Sequence, residues 1–158
     1  DNVLLGMHGH TSANLADAIF HTPKKRREEA ACVKRAEEIL RLMNLWEDRH
    51  ALATSLPYGK QRRLEIARAM AANPKLLLLD EPAAGMNEQE TSELLEMVRQ
   101  LKSLGYTVLL IEHDMKFVMN VCERLYVLNY GEMLAEGDPV AVRNDPKVIE
   151  AYLGKEED

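Results

Sequence analysis

Two runs of the chain carry no polar alternation: Leu76-Leu77-Leu78-Leu79 and, in the strand that Thr107 opens, Val108-Leu109-Leu110-Ile111. Short runs that are apolar at every position fit strands covered on both faces, as central parallel strands of α/β proteins are. Elsewhere the apolar positions recur at helical spacing. Val33, Ala36, Leu40 and Met43 make one stripe on a helix that Thr22 caps, Pro23 opens and Leu45 roughly ends. Residues 61–72 place Leu64, Ala67 and Ala71 on one face and Arg62, Arg63 and Arg68 elsewhere, and Asn73-Pro74 stops that helix. Asn87 is a good N-cap, and Glu90 three positions later completes a capping box. The helix it opens carries Leu94, Leu95, Val98 and Leu101 and ends at Gly105. Helices alternating with doubly covered strands predict an α/β fold.

The remaining segments are shorter. Residues 2–7 read as the tail of a helix and a loose turn, residues 15–20 as a second short helix, and residues 46–55 as a polar connector. Asp114 is placed to cap a short helix reaching Cys122. Residues 124–129 and 132–135 flank Tyr130-Gly131 as a hairpin. Asp138-Pro139 and Asp145-Pro146 each open a short helix. The last of these carries Val148, Ile149, Tyr152 and Leu153 and stops at Gly154, ahead of an acidic tail.

Composition narrows the class. At 158 residues and 46% hydrophobic content the chain has the size and core of one soluble domain. No apolar run approaches the length of a membrane span. No N-terminal stretch has the make-up of a secretion signal, so a cytosolic setting is expected. Cys32 and Cys122 share no metal-ligand spacing with the histidines and are expected as buried, reduced thiols. A net charge of -6 argues against a nucleic-acid partner. The one basic block, Lys24-Lys25-Arg26-Arg27, is followed at once by Glu28-Glu29 and reads as a solvated helix face.

The candidate chemistry sits where the apolar runs end. Asp80 and Glu81 follow the first of them, at the edge of the sheet where α/β proteins bind ligands. One carboxylate can hold a hard cation such as Mg²⁺ through oxygen, while its neighbour orients or deprotonates a water for attack on phosphorus. His113 follows the second run and reaches the same edge if the two strands are parallel. Upstream, Gly59 in Tyr58-Gly59-Lys60-Gln61 opens a helix whose N–H groups make a ready anion site. His8, His10, His21 and His50 lack such surroundings and are expected at the surface.

In this order the turn, helix, Asn-Pro, leucine run, Asp-Glu-Pro and small-residue loop of LPYGKQRRLEIARAMAANPKLLLLDEPAAGMN resemble the signature motif, Walker B and D-loop of ATP-binding-cassette (ABC) ATPases. The resemblance extends over the whole chain through IEHDM, which matches the H-loop, and the closing AYLG. It implies a P-loop NTPase-like ABC ATPase core with an α-helical subdomain, here residues 56–158 and 1–55 respectively. It implies that Asp80 holds Mg²⁺ through water, that Glu81 is the catalytic carboxylate, and that His113 contacts the γ-phosphate of ATP. By the same resemblance Leu56, Pro57, Tyr58, Gly59, Lys60 and Gln61 complete the ATP site of the opposite subunit in a head-to-tail dimer, and Asn87 lies in the D-loop. The sequence departs from the commonest signature, Leu-Ser-Gly-Gly-Gln, by Pro57 at the serine position and Tyr58 at the first glycine. The serine hydroxyl is lost as a donor to the γ-phosphate, whereas the Gly59 amide is expected to remain available.

Tyr58-Gly59 with Gln61-Arg62-Arg63 is most similar to ATP-binding subunits of branched-chain amino acid importers. That implies membrane permease subunits as partners, a periplasmic binding protein indirectly, and a peripheral location on the cytoplasmic face of the inner membrane. Urea or amide uptake and lipopolysaccharide export are the neighbouring systems. DNA-repair and chromosome-organising ATPases share the signature and Walker B but insert long coiled coils, and no sustained heptad is present here. The chain contains no G-x-x-x-x-G-K-[ST] phosphate loop and begins at Asp1, which predicts the C-terminal part of a longer protein with the Walker A strand absent. An inert interaction module is the alternative on that ground. In the family the Walker A strand lies between the H-loop strand and the strand at 125–128, so a slot with open edges is expected there.

Overall fold

The computed structural model describes residues 1–7 and 23–153. The expected helix at 15–20, the Thr22 cap, His8, His10, His21, the Gly154 stop and the acidic tail lie outside them. Helix α1 (Asn2–Leu5) and helix α2 (Pro23–Leu42) pack on helix α3 (Tyr58–Ala71) and on each other. Strand β1 (Leu76–Asp80), helix α4 (Glu88–Ser103), strand β2 (Thr107–Ile111) and helix α5 (Met115–Val121) follow, then the hairpin β3 (Leu125–Asn129) and β4 (Glu132–Gly137). The short helices α6 (Pro139–Arg143) and α7 (Pro146–Val148) close the described chain, with a single π turn over Ile149–Leu153. No described helix is long and apolar enough to cross a membrane.

The caps behave as their chemistry dictates. Asn87 Oδ1 accepts from Glu90 N at 2.9 Å while Asn87 N donates to Glu90 Oε2 at 3.1 Å, a complete capping box. Asp114, Asp138 and Asp145 cap α5, α6 and α7 through their carboxylates. On α2 the buried stripe is Ala36 and Ile39, continued by Met43 just beyond the helix, and Val33 is 47% exposed. The expected stripe is therefore rotated by about one position: Cys32 packs on the core in the place given to Val33, and Ile39 is buried ahead of half-buried Leu40.

β1 and β2 pair in parallel and in register, from Leu76 opposite Thr107 to Asp80 opposite Ile111. One apolar cluster runs from Val3 and Met7 through Ile39, Met43, Ile66, Met70, Leu77, Leu79, Leu94 and Leu101 to Phe117. Among the described residues the sheet is covered on that face only. Leu76 and Leu78 are 47% and 67% exposed, so the second cover expected for the leucine run is not supplied by the described residues. A smaller cluster of Val118, Leu125, Val127, Val142 and Val148 lies under the hairpin, with Leu110 and Cys122 touching both clusters. Both cysteines are free and half-buried rather than fully buried. Burial pushes the Cys122 thiol up, with Lys102 opposing it.

At the hairpin tip Tyr130 and Gly131 have φ of +48° and +83°, the two left-handed residues of a type I′ turn. A fully exposed tyrosine in that conformation pays backbone strain that asparagine largely avoids. Tyr130→Asn is expected to raise stability by about 1 kcal/mol. A urea midpoint that stays put or falls would contradict the turn assignment.

Candidate functional site

In-register parallel pairing brings the residues after β1 and β2 to one edge. Glu81 N donates to Ile111 O at 2.9 Å, which extends the pairing one residue past the strand. His113 Nδ1 stands 3.3 Å from Glu81 Oε1, and both side chains are more than half exposed. Asp80 is exposed beside them. The edge therefore gathers Asp80, Glu81 and His113, two carboxylates and an imidazole open to solvent. Glu81 is held at φ +43°, a left-handed conformation costing a non-glycine residue roughly 1–2 kcal/mol. Such strain persists where the surroundings over-determine it, commonly at functional sites.

The turn before α3 is built differently. Pro57 caps the helix without a side-chain hydrogen bond, and its carbonyl accepts from Lys60 N and Gln61 N at 3.0 Å each. Leu56 is buried, and Gln61 Nε2 donates to its carbonyl at 2.8 Å. Lys60 pairs with Asp48 at 2.6 Å. Gly59, expected to offer an accessible amide, is buried, and a Cβ there would meet Glu90 Oε1 at 2.6 Å. Tyr58 is 44% exposed; its ring lies against Gly85, and its hydroxyl accepts from Arg62 Nε at 3.0 Å. Arg62 also donates to Glu65, and these two contacts raise its already high pKa further. The face this turn offers outward is Pro57 and Tyr58, with Lys60 and Gln61 half-buried.

The structure thus forms two groups. Asp80, Glu81 and His113 share one edge, while residues 56–61 pack on the loop containing Gly85 and Asn87. Among the described residues the hydrogen bonds and ion pairs of 56–61 do not reach Asp80, Glu81 or His113. A cavity of about 670 Å³ lined by Met43, Arg63, Glu93 and Met97 contains none of the predicted site residues.

The link between Gly59 and the capping box is testable. Asn87→Ala removes one half of the box and should cost about 1 kcal/mol. Gly59→Ala should push Glu90 out of the same box, so the double variant should cost clearly less than the sum of the singles. Additive losses in urea denaturation would separate the two sites.

A family model described as ABC transporter matches residues 7–84, and one described as Branched-chain amino acid ATP-binding cassette transporter matches residues 132–158. High-affinity branched-chain amino acid transport ATP-binding protein LivG of Escherichia coli K12 is 46% identical over 156 residues, 98% of this chain and 61% of LivG. The chain belongs to the ABC transporter ATP-binding family. BraF of Pseudomonas aeruginosa, also named a branched-chain amino acid transport ATP-binding protein, gives the same identity and coverage. Lipopolysaccharide export system ATP-binding protein LptB of Haemophilus influenzae is 39% identical over 135 residues, covering 85% of this chain and 54% of its own length. Among solved structures, the ADP conformation of an ATP-binding cassette of an ABC transporter superposes with a TM-score of 0.77 at 33% identity, over 98% of this chain and 61% of that one. The chain thus spans less than two thirds of the length of these relatives, and its fold is that of an ABC ATPase cassette.

One residue of this ABC cassette escaped the sequence reading. Glu112 accepts a hydrogen bond from Ala83 N at 2.8 Å, joining the end of β2 to the turn after Glu81. The signal was present: an acid directly after a doubly apolar run, the same pattern that marked Asp80. No described group of three or more His, Cys, Asp or Glu could enclose a metal. A cation at this edge would take Asp80 and otherwise oxygens of water or substrate, which fits the habits of Mg²⁺.

Proposed function

We propose that this chain carries the catalytic edge and the dimer-facing turn of an ATP-hydrolysing subunit that powers uptake of branched-chain amino acids through an ABC transporter. The observation that carries the reading is the common strand edge where Asp80, Glu81 and His113 meet, with His113 3.3 Å from Glu81. Mg²⁺ held by Asp80 would neutralise charge on the phosphates of bound ATP. Glu81 orients and deprotonates the attacking water, and His113 donates to the γ-phosphate. The strained backbone of Glu81 aims its carboxylate at the histidine side of the edge. Pro57, Tyr58 and Gln61 present the outward face of the 56–61 turn to the nucleotide of a second ATPase subunit, with Asn87 beside that interface. Because no hydrogen bond or ion pair among the described residues links 56–61 to the catalytic edge of their own chain, a head-to-tail partner is the arrangement that uses both groups.

The partners on this reading are a second ATPase subunit, membrane permease subunits and, through them, a periplasmic binding protein, at the cytoplasmic face of the inner membrane. Residues 1–55 form the helical subdomain and 56–158 the core. One continuous apolar cluster joins the two parts, so they are expected to fold together. Branched-chain amino acid uptake is favoured over lipopolysaccharide export by the longer and higher match to LivG than to LptB, 46% over 156 residues against 39% over 135.

The test is a chimaera in which this chain replaces the matching residues of LivG. Leucine uptake and Mg-ATP hydrolysis by cells and membranes carrying it should both be restored. Hydrolysis without uptake would place the chain in another ABC system, and loss of both in a folded chimaera would favour an inert interaction module.

A further inference from the structure

Glu112 has no part in the scheme above, yet this half-buried side chain carries one carboxylate oxygen inward beside the catalytic edge. Its Oε1 accepts from Ala83 N at 2.8 Å, and its Oε2 is buried without a hydrogen-bond partner among the described residues. A carboxylate oxygen taken out of water in this way is unfavourable, so the bond made by the other oxygen has to offset it. A charge-assisted N–H···O⁻ bond is roughly twice as strong as a neutral one, which is the gain a carboxylate brings here over a hydroxyl.

What that bond holds is the turn bearing Glu81. Glu81 sits at φ +43° and its N–H is bonded to Ile111 O at 2.9 Å. Pro82 follows, buried and without a donor. Ala83 N is therefore the next amide that can tie the turn to β2, and Glu112 takes it. Ala84 N closes the turn onto Glu81 O at 3.1 Å. Two consecutive attachments to β2, one backbone and one side chain, thus bracket a left-handed glutamate whose carboxylate lies beside His113.

We propose that Glu112 is the positioning residue for Glu81: it clamps the 81–84 turn to the end of β2 and so fixes where the Glu81 carboxylate stands relative to His113. The proposal rests on the reading of Glu81 as the water-orienting carboxylate. It assigns Glu112 no contact with ATP. An amide oxygen can accept the same N–H, so glutamine should replace it and alanine should not.

Two measurements test this. In the LivG chimaera, Glu112→Ala should lower kcat for ATP on the order of 10²-fold, the usual cost of an ångström-scale misplacement. KM for ATP should stay within about twofold, since ground-state binding is untouched. Glu112→Gln should restore kcat to within about threefold of the parent, because it keeps the acceptor. In the 158-residue chain, the Ala83 amide should exchange with solvent faster in Glu112→Ala than in the parent or Glu112→Gln. Parental kcat in Glu112→Ala, an equal fall in Glu112→Gln, a change confined to KM, or unaltered exchange at Ala83 would each overturn the clamp. If Glu112→Ala does not fold, Glu112→Met keeps the side-chain length without the oxygen and takes its place in both measurements. Glu81→Gln run alongside separates the two claims: turnover that survives it removes the role of Glu81, whereas exchange at Ala83 reports on Glu112 alone.

Discussion

Glu81→Gln in the LivG chimaera is expected to lower ATP turnover by roughly 10²- to 10⁴-fold, the range a positioned general base supplies. Glutamine keeps the volume and an oxygen or amide beside His113, which stands 3.3 Å from Glu81 Oε1, but cannot take a proton from water. The backbone should be unaffected, because Glu81 N remains bonded to Ile111 O and the left-handed turn is set by the main chain and Glu112. The loss should therefore fall on kcat and spare nucleotide binding, and ATP-bound dimers should accumulate in gel filtration. Asp80→Asn should show the opposite division, weakening Mg-ATP affinity. Residual hydrolysis by Glu81→Gln above about a tenth of the parental rate would exclude it as general base.

Much of this edge was legible because it depends on local rules. A leucine run followed by Asp-Glu-Pro, and a second run followed by Glu-His-Asp, locate the ends of β1 and β2 to within a residue. Caps are equally local: Asn87, Asp114, Asp138 and Asp145 bond where their side-chain oxygens reach the second or third amide. What failed was what depends on packing between distant segments. Val33 and Ile39 are both apolar and both at helical spacing, and only the position of α3 and α1 decides which is buried. Gly59 was expected to be open because the turn is, but Glu90, thirty-one residues on, reaches back to cover it. Glu112 was passed over because its partner is a backbone amide in another loop, which no spacing rule encodes.

The leucine run itself carries the second large expectation. Alternation along a strand sends Leu76 and Leu78 to one face, and register places Leu109 and Ile111 on that face beside them. All four are 47–67% exposed, and Tyr126 and Leu128 of β3 are 54% and 56% exposed. Among the described residues β2 pairs only with β1, and β3 only with β4, so an edge of each strand is left without a partner, in line with the slot expected there. Burying a whole Leu or Ile gives about 1.5–3 kcal/mol, so the four half-exposed side chains that each of two chains brings to that face offer together roughly 6–12 kcal/mol. Association of two chains costs an estimated 4–15 kcal/mol, so the apolar face alone is nearly balanced. Open strand edges tip it, because pairing adds backbone hydrogen bonds to the same contact. The 158-residue chain is therefore expected to self-associate at micromolar concentration and to sediment above its 17.9 kDa monomer mass. Leu78→Lys with Leu109→Lys puts two like charges opposite each other on that face while leaving Leu77 and Leu79 in the core, and should shift the chain towards monomer. A parent that is monodisperse and monomeric at tens of micromolar would mean that this face is closed in solution by a segment of the chain itself, and the double lysine variant would then lose stability instead of oligomers.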